Sequence, residues 1–269
     1  MSDAFNTYPS THEVQLTGGE RTSVWRRGEI VLRPRRYWSE NIIGFLAHLE
    51  SCGFEGSPRV EGSGFAADGR EAVRFIDGDA GHLGSWSDSA LLNIGQMIRK
   101  IHDASTSFTP INNQWQTWFG RSLGGPQRVI GHCDVGSWNV IARNSEPVAF
   151  IDWELAGPVD PMVELAQACW LNAQLMGEQV AERNELPDVK QRARQMRVLV
   201  DGYGASQQER TRIFDLMVEL VIGDAKLQAD DAGVTPETKD AAALWGITWR
   251  VASAEWMFRN GSLLRNALV

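Results

Sequence analysis

The stretch VIGHCDVGSWNVIARNSEPVAFIDWELAG, 129–157, carries oxygen-bearing side chains at fixed intervals. Asn139 lies five residues after Asp134, and Asp152 lies eighteen residues after it. Val129 and Ile130 read as a short buried strand that Gly131 breaks. Residues 140–142 and 148–151 read as two further strands, joined by the polar turn 143–147. A hairpin of this kind lets Asn139 and Asp152, distant in sequence, converge. A carboxylate beside a hydroxyl orients it and takes its proton. A second carboxylate with an amide oxygen suits Mg²⁺, a hard ion that prefers oxygen ligands. His132 reads as a buried hydrogen-bonding residue that fixes the loop before Asp134. A metallohydrolase built on His132 and Asp134 would need more ligands, and His12, His48, His82 and His102 lack metal-site spacing with them.

His132, Asp134 and Asn139 spell H-x-D-x-x-x-x-N, and Ile151-Asp152-Trp153 follows. This pattern resembles the catalytic segment of the aminoglycoside phosphotransferase family, the small-molecule branch of the kinase-like fold. The resemblance implies an α+β, bilobal protein-kinase-like fold. Residues 1–77 would form a small N-terminal antiparallel-sheet lobe that binds nucleotide. Residues 78–269 would form a larger, mainly helical C-terminal lobe for catalysis and substrate. The implied reaction is ATP-dependent phosphoryl transfer to a hydroxyl of a small molecule. Such chemistry asks a protein for positioning and for neutralisation of phosphate charge. Asp134 would be the base, and Asn139 and Asp152 would hold Mg²⁺.

The same resemblance gives roles to residues earlier in the chain. Gly18 and Gly19 fall where the family has its phosphate loop. Related kinases set a small apolar residue over adenine and a lysine two residues later, which here are Val31 and Arg33. The first lysine in the chain is Lys100, so if phosphates are gripped in the usual place an arginine grips them, Arg33 fitting best and Arg35 and Arg36 being alternates. Arg is a planar fork and Lys a point charge, so this exchange is not neutral. Phe75, Ile76 and Asp77 fall at the hinge, where backbone meets the adenine edge. Two further departures are Glu164 in place of the Asp that braces the catalytic loop, and Ser137 in place of a loop proline. The likeness covers most of 14–175, and the segments LTGG, 53–59 and 69–71 also resemble a bacterial subgroup. A non-catalytic or weakly active binding protein, for immunity or resistance, is the alternative on this scaffold.

The elements that must carry these residues are legible from periodicity. Strands are expected at 14–16, 23–27, 29–33, 58–62 and 71–76. Ser39 reads as the N-cap of a helix with Ile42, Ile43, Leu46 and Leu49 inward, and Glu40 is the nearest acid for the phosphate-binding cation. Ser87-Asp88 begins a helix to about Ala104, with Leu91, Leu92, Ile94, Ile98 and Ile101 inward. A helix is expected over 162–175, and more helices follow to 268. Pro236 is expected to open the last of them, with Trp245, Trp249, Ala252 and Trp256 on one core face. Asp160, Glu219, Asp224 and Glu255 are candidate pocket acids.

Composition narrows the class. At 269 residues and 43% hydrophobic content, the chain can bury a real core. A net charge of −8 argues against nucleic acid and anionic membrane as partners. Three cysteines without a C-x-x-C pair argue for a reducing compartment. The first residues lack the basic and apolar regions of a signal peptide, and no apolar run is long enough to span a bilayer. The cytoplasm is the expected location, and oligomeric state is unspecified.

Overall fold

The computed structural model describes residues 12–16, 23–80 and 84–269. Gly18, Gly19 and His82 lie outside the described residues. The first part is a five-stranded antiparallel sheet of β1 (Glu13–Leu16), β2 (Val24–Arg27), β3 (Ile30–Arg33), β4 (Val60–Phe65) and β5 (Glu71–Arg74), in the order β1-β2-β3-β5-β4. Between β3 and β4 the chain forms α1 (Ser39–Ser51), which buries Ile42, Phe45, Leu46 and Leu49. Ser39 is the first helical residue and not the cap. Its hydroxyl accepts from the Arg36 N–H at 2.7 Å.

After β5 the chain passes through 75–78 to β6 (Asp79–Ala80), which pairs with a later hairpin. Helix α2 (Asp88–Ser105) starts at Ser87, whose hydroxyl accepts from the Ala90 N–H at 3.1 Å. Leu91, Ile94, Ile98 and Ile101 are buried as their spacing predicts, but Leu92 falls off that stripe and is exposed. Strand β7 (Val129–Gly131) pairs antiparallel with β10 (Gly157–Val159), and β8 (Val140–Arg143) with β9 (Glu146–Phe150) forms the hairpin that β6 extends. A helical turn, Ser137–Asn139, leads into β8, and another, Trp153–Leu155, follows β9.

The remaining chain is helical: α3 (Pro161–Asn172), α4 (Glu178–Arg183), α5 (Val189–Tyr203), α6 (Gln207–Asp231), α7 (Ala241–Arg259) and α8 (Gly261–Leu268). Their starts are chemically marked. Asp160 accepts from the Met162 N–H, with Pro161 in the first turn, and Ser206 with Glu209 closes a capping box. Helix α7 begins at Ala241 under an Asp240 cap, so Pro236 does not open it. Only the C-terminal end of its tryptophan stripe is core: Trp256 is buried, Trp249 half-buried and Trp245 exposed. Helices α2 and α5 approach closely because Gly95 and Gly202 face each other's partners. A Cβ at either would strike the carbonyl of Leu199 or Leu92. One core joins α1, α2, the β7–β10 region and α3 to α5–α8. Among the described residues, no helix is long and apolar enough to cross a membrane.

Candidate active site

The loop 132–139 is built from behind. Glu164, on the first turn of α3, is buried and accepts the Cys133 N–H at 2.6 Å through one oxygen. Its other oxygen bonds His102 Nε2 from α2, and His102 Nδ1 meets the Tyr203 hydroxyl at 2.9 Å. The longer glutamate therefore reaches the loop in place of an aspartate. Room for it comes from Gly131, where a Cβ would collide with the Glu164 carboxylate. Burial alone would raise the Glu164 carboxyl. The His102 bond, the His102 charge and the Cys133 N–H outweigh it and hold the group below the ordinary carboxylate value. Further along, Gln167 accepts the Val135 N–H at 3.3 Å, and Asn172 donates to the Val135 carbonyl at 2.6 Å.

This bracing fixes unusual backbone. Cys133 has φ 65° and Asp152 φ 63°, both in the left-handed region that non-glycine residues rarely adopt. Strain of this kind costs on the order of 1–3 kcal/mol per residue and persists only where surroundings enforce it. The Cys133 thiol is buried and pushed far up by desolvation, so it is not a nucleophile.

His132 bonds the Ile151 carbonyl through Nε2 at 2.8 Å, while Nδ1 accepts the Asp134 N–H at 3.2 Å. One nitrogen donates and the other accepts, which defines a neutral imidazole. Burial, the largest influence, lowers its proton affinity in agreement. His132 thus ties the loop to the strand that delivers Asp152. Asn139 donates its amide to the Asp134 carboxylate at 2.8 Å and to the Asp134 carbonyl at 2.9 Å. That orientation commits the amide nitrogen to Asp134, so the amide oxygen is the atom of Asn139 that could face a metal. The Asn139 carbonyl takes the Ile151 N–H at 2.9 Å, which ties loop to hairpin a second time.

Asp152 meets the N-terminal sheet. Arg33 donates to Asp152 at 2.5 Å and to Glu154 at 3.0 Å. Glu71, paired with Arg33 across β3 and β5, is buried beneath them. Burial works against the Arg33 charge, but Asp152, Glu154 and Glu71 outweigh it and raise its proton affinity. Burial is also the main reason that the Glu71 carboxyl is raised. Val31 lies two residues before Arg33 on β3. At 75–77, where a hinge is expected, the Phe75 N–H is taken by the Glu29 carbonyl at 2.8 Å, and the Asp77 carbonyl accepts from Arg143 at 3.0 Å. Ile76 between them is half-buried.

The residues expected to act together are therefore near one another wherever they are described: His132, Asp134, Asn139, Asp152 and Arg33. An amide oxygen and a carboxylate form a donor set that suits Mg²⁺ when substrate phosphates complete the shell. Among the described residues there is no cluster of three or more His, Cys, Asp or Glu able to hold a metal alone. Other expectations change. Glu40 pairs with Arg35 at 2.6 Å on the surface, not with Arg33. Asp160 is buried and engaged by Met162 N–H, Gly125 N–H and Arg212, so it is structural. Asp224 is held by Arg250 at 2.5 Å, and Glu219 and Glu255 are exposed. Reasoning from sequence missed Glu154, Glu71, Gln167 and Arg121. Arg121 donates to the carbonyls of Leu155 and Pro158 and so supports the turn after Asp152. Only Glu154 had a local signal, its place two residues after Asp152.

An antiparallel sheet with one helix, a hairpin flanked by Asp134 and Asp152, and a helical C-terminal region define the bilobal protein-kinase-like fold. The chain belongs to the phosphotransferase enzyme family, whose model matches residues 16–195. A relative from Rhizobium leguminosarum bv. trifolii, described as a trifolitoxin immunity protein, is 50% identical over 257 residues, covering 95% of this chain and 98% of its own. Among solved structures, a choline/ethanolamine kinase family protein from Mesorhizobium loti superposes with TM-score 0.62 at 17% identity, covering 96% of this chain and 93% of that one. An amicoumacin kinase bound to AMP-PNP, Ca²⁺ and its antibiotic gives 0.66 at 11% identity, covering 90% and 88%. At such identities these structures support the fold alone.

Proposed function

We propose that this chain is an ATP-dependent O-phosphotransferase acting on a hydroxyl of a small molecule. The carrying observation is the pairing of Asp134 with Asn139 in a loop that His132 ties to the strand delivering Asp152. Asp134 accepts the proton of the acceptor hydroxyl as that oxygen bonds the γ-phosphorus. The bond from phosphorus to the bridging oxygen breaks, and ADP leaves with the electron pair. His132 is neutral and spent on the backbone, so it orients Asp134 and does not compete as a base. Asn139 and Asp152 would hold Mg²⁺, which supplies neutralisation of phosphate charge. Arg33 turns from Asp152 and Glu154 to the phosphates, and Gly18 and Gly19 remain the expected glycines of the phosphate loop. Val31 covers the base, and the backbone of 75–77, Phe75 to Asp77, meets its edge.

The division into a nucleotide lobe, 1–77, and a catalytic and substrate lobe, 78–269, belongs to the same reading. It is supported by β5 ending at Arg74 and by β6 joining the later hairpin. Use of ATP fits a cytoplasmic enzyme. The acidic net charge disfavours nucleic acid as a partner. The test is ADP release across a panel of hydroxyl-bearing amines, sugars, nucleosides and antibiotics, comparing the wild type with Asp134→Ala. Turnover equal in both would overturn the role of Asp134.

A second reading is a ligand-binding immunity or resistance protein on the same scaffold with little turnover. The name of the 50% identical relative favours it, as does an arginine paired to Asp152 where related kinases use lysine. Nucleotide binding without turnover on any acceptor would select this reading.

A further inference from the structure

Arg26 has no part in the chemistry above, yet the strand register sets it directly opposite Val31. Directly opposed residues of antiparallel strands share a face of the sheet. Arg26 opposes Val31, and Val31 opposes Val73. Arg33 lies two residues beyond Val31, and Phe75 two beyond Val73, so alternation carries both onto the same face. Arg33 identifies that face, because its guanidinium reaches Asp152. If Val31 covers the base, its cross-strand neighbour Arg26 covers it too.

The side chain is already fixed there. Arg26 Cζ lies 3.6 Å from the centroid of the Phe75 ring. Its Nε donates to the Gly28 carbonyl at 2.7 Å, and a terminal nitrogen donates to Glu29 at 2.9 Å. The Glu29 carbonyl in turn holds the Phe75 N–H at 2.8 Å. Turn, hinge and guanidinium thus form one bonded unit. An exposed ion pair with Glu29 alone would contribute little and would not require the ring contact. About a third of the side chain remains exposed, at 34%.

We infer that Arg26 is a base-recognition residue of the nucleotide site, its guanidinium on Phe75 forming the platform on which the purine ring stacks. A guanidinium is planar and stacks on π-faces, which an ammonium cannot do. A platform held in place beforehand loses little side-chain freedom when the base arrives. Every purine offers a π-face, so the contact strengthens ATP and GTP alike. This inference rests on the nucleotide reading proposed above.

The test is calorimetric titration with ATP, GTP and inorganic tripolyphosphate, each with Mg²⁺, on wild type, Arg26→Ala, Arg26→Met and Arg26→Lys. Unchanged thermal midpoints establish that the variants fold. The expected result is a loss of about five-fold in affinity for both nucleotides in all three variants. Tripolyphosphate, which has no base, should bind each protein equally. Unchanged nucleotide affinity, full affinity in Arg26→Lys, or an equal loss for tripolyphosphate would overturn the stacking role. Tighter nucleotide binding in Arg26→Ala would overturn it too, showing that Arg26 blocks the slot. Wild type that binds tripolyphosphate but gains nothing from a base would refute this inference and leave phosphate binding standing. Wild type that binds none of the three would refute the nucleotide reading and this inference together.

Discussion

Behind Asp134, the loop is bonded by side chains that are themselves buried. Glu164, His102, Gln167 and Asn172 all lie out of solvent and meet backbone or each other. The N-terminal sheet that faces this loop is held differently. Glu13 joins Arg27 and Arg70, Asp68 joins Arg70, and Arg74 joins Glu61, all in partly or largely exposed ion pairs. Buried bonds are costly to break, because the orphaned partner cannot turn to water. Exposed pairs exchange partners at little cost. The comparison teaches a division of labour. Asp134, the proposed base, stands on a buried, bonded frame, while Arg33, proposed to meet phosphate, sits on a sheet whose exposed ion pairs tolerate rearrangement. Arg33 belongs to both regions: it is mostly buried, but its partners are the acids of the loop.

The sharpest way to break this comparison is at its rigid side. Asp134→Ala should lower turnover by roughly 10³-fold while leaving nucleotide affinity nearly unchanged, measured by ADP release and calorimetry on one preparation. On the adaptable side, Arg33→Ala should weaken nucleotide binding about ten-fold or more. Arg33→Lys should recover most of it, because a lysine there still reaches phosphate. If Arg33→Lys is as damaged as Arg33→Ala, the two-acid fork, and not phosphate contact, is the role of Arg33.

Removing the brace measures the rigid side directly. Glu164→Ala leaves the Cys133 N–H and His102 without their acceptor, and should cost about 2 kcal/mol or more in chemical denaturation. The pH dependence carries the same information. The folded-state value of Glu164 is below the ordinary 4.5, so the native state favours the ionised form. Its contribution to stability is full above that ordinary value and is lost as pH falls through the folded value. Glu164→Gln should therefore flatten the acid limb of a plot of thermal midpoint against pH. An unchanged acid limb would show that the brace does not depend on charge. The smallest effect belongs to the exposed pairs: Glu61→Gln, opposite Arg74, should change stability by less than about 0.5 kcal/mol.

How much of this was legible in the sequence follows the same division. Asp134, Asn139 and Asp152 stood out because H-x-D-x-x-x-x-N and the following Ile151-Asp152-Trp153 resemble a family pattern set among short apolar runs; their roles are those proposed above. Strand and helix order followed from hydrophobic periodicity, with errors where tertiary context decides. Leu92 has the hydropathy of a core residue, but α2 turns it outward. Pro236 marks a turn, and the cap that starts α7 is Asp240. Glu40 stands at a helix start beside Arg35, which is nearer than Arg33 and takes it. The residues that brace the site were not legible. His102 and Tyr203 stand 101 residues apart on different helices, and nothing near either reports the other. Glu71 reads as an ordinary strand residue until β5 is paired with β3.

The most direct test of the central claim is calorimetric titration of ATP with and without Mg²⁺, on wild type beside Asp152→Ala. Metal-dependent binding by the wild type that disappears in Asp152→Ala is the expected result. Absence of binding at millimolar ATP, or binding indifferent to both metal and Asp152, would contradict a phosphotransferase site at Asp134, Asn139 and Asp152.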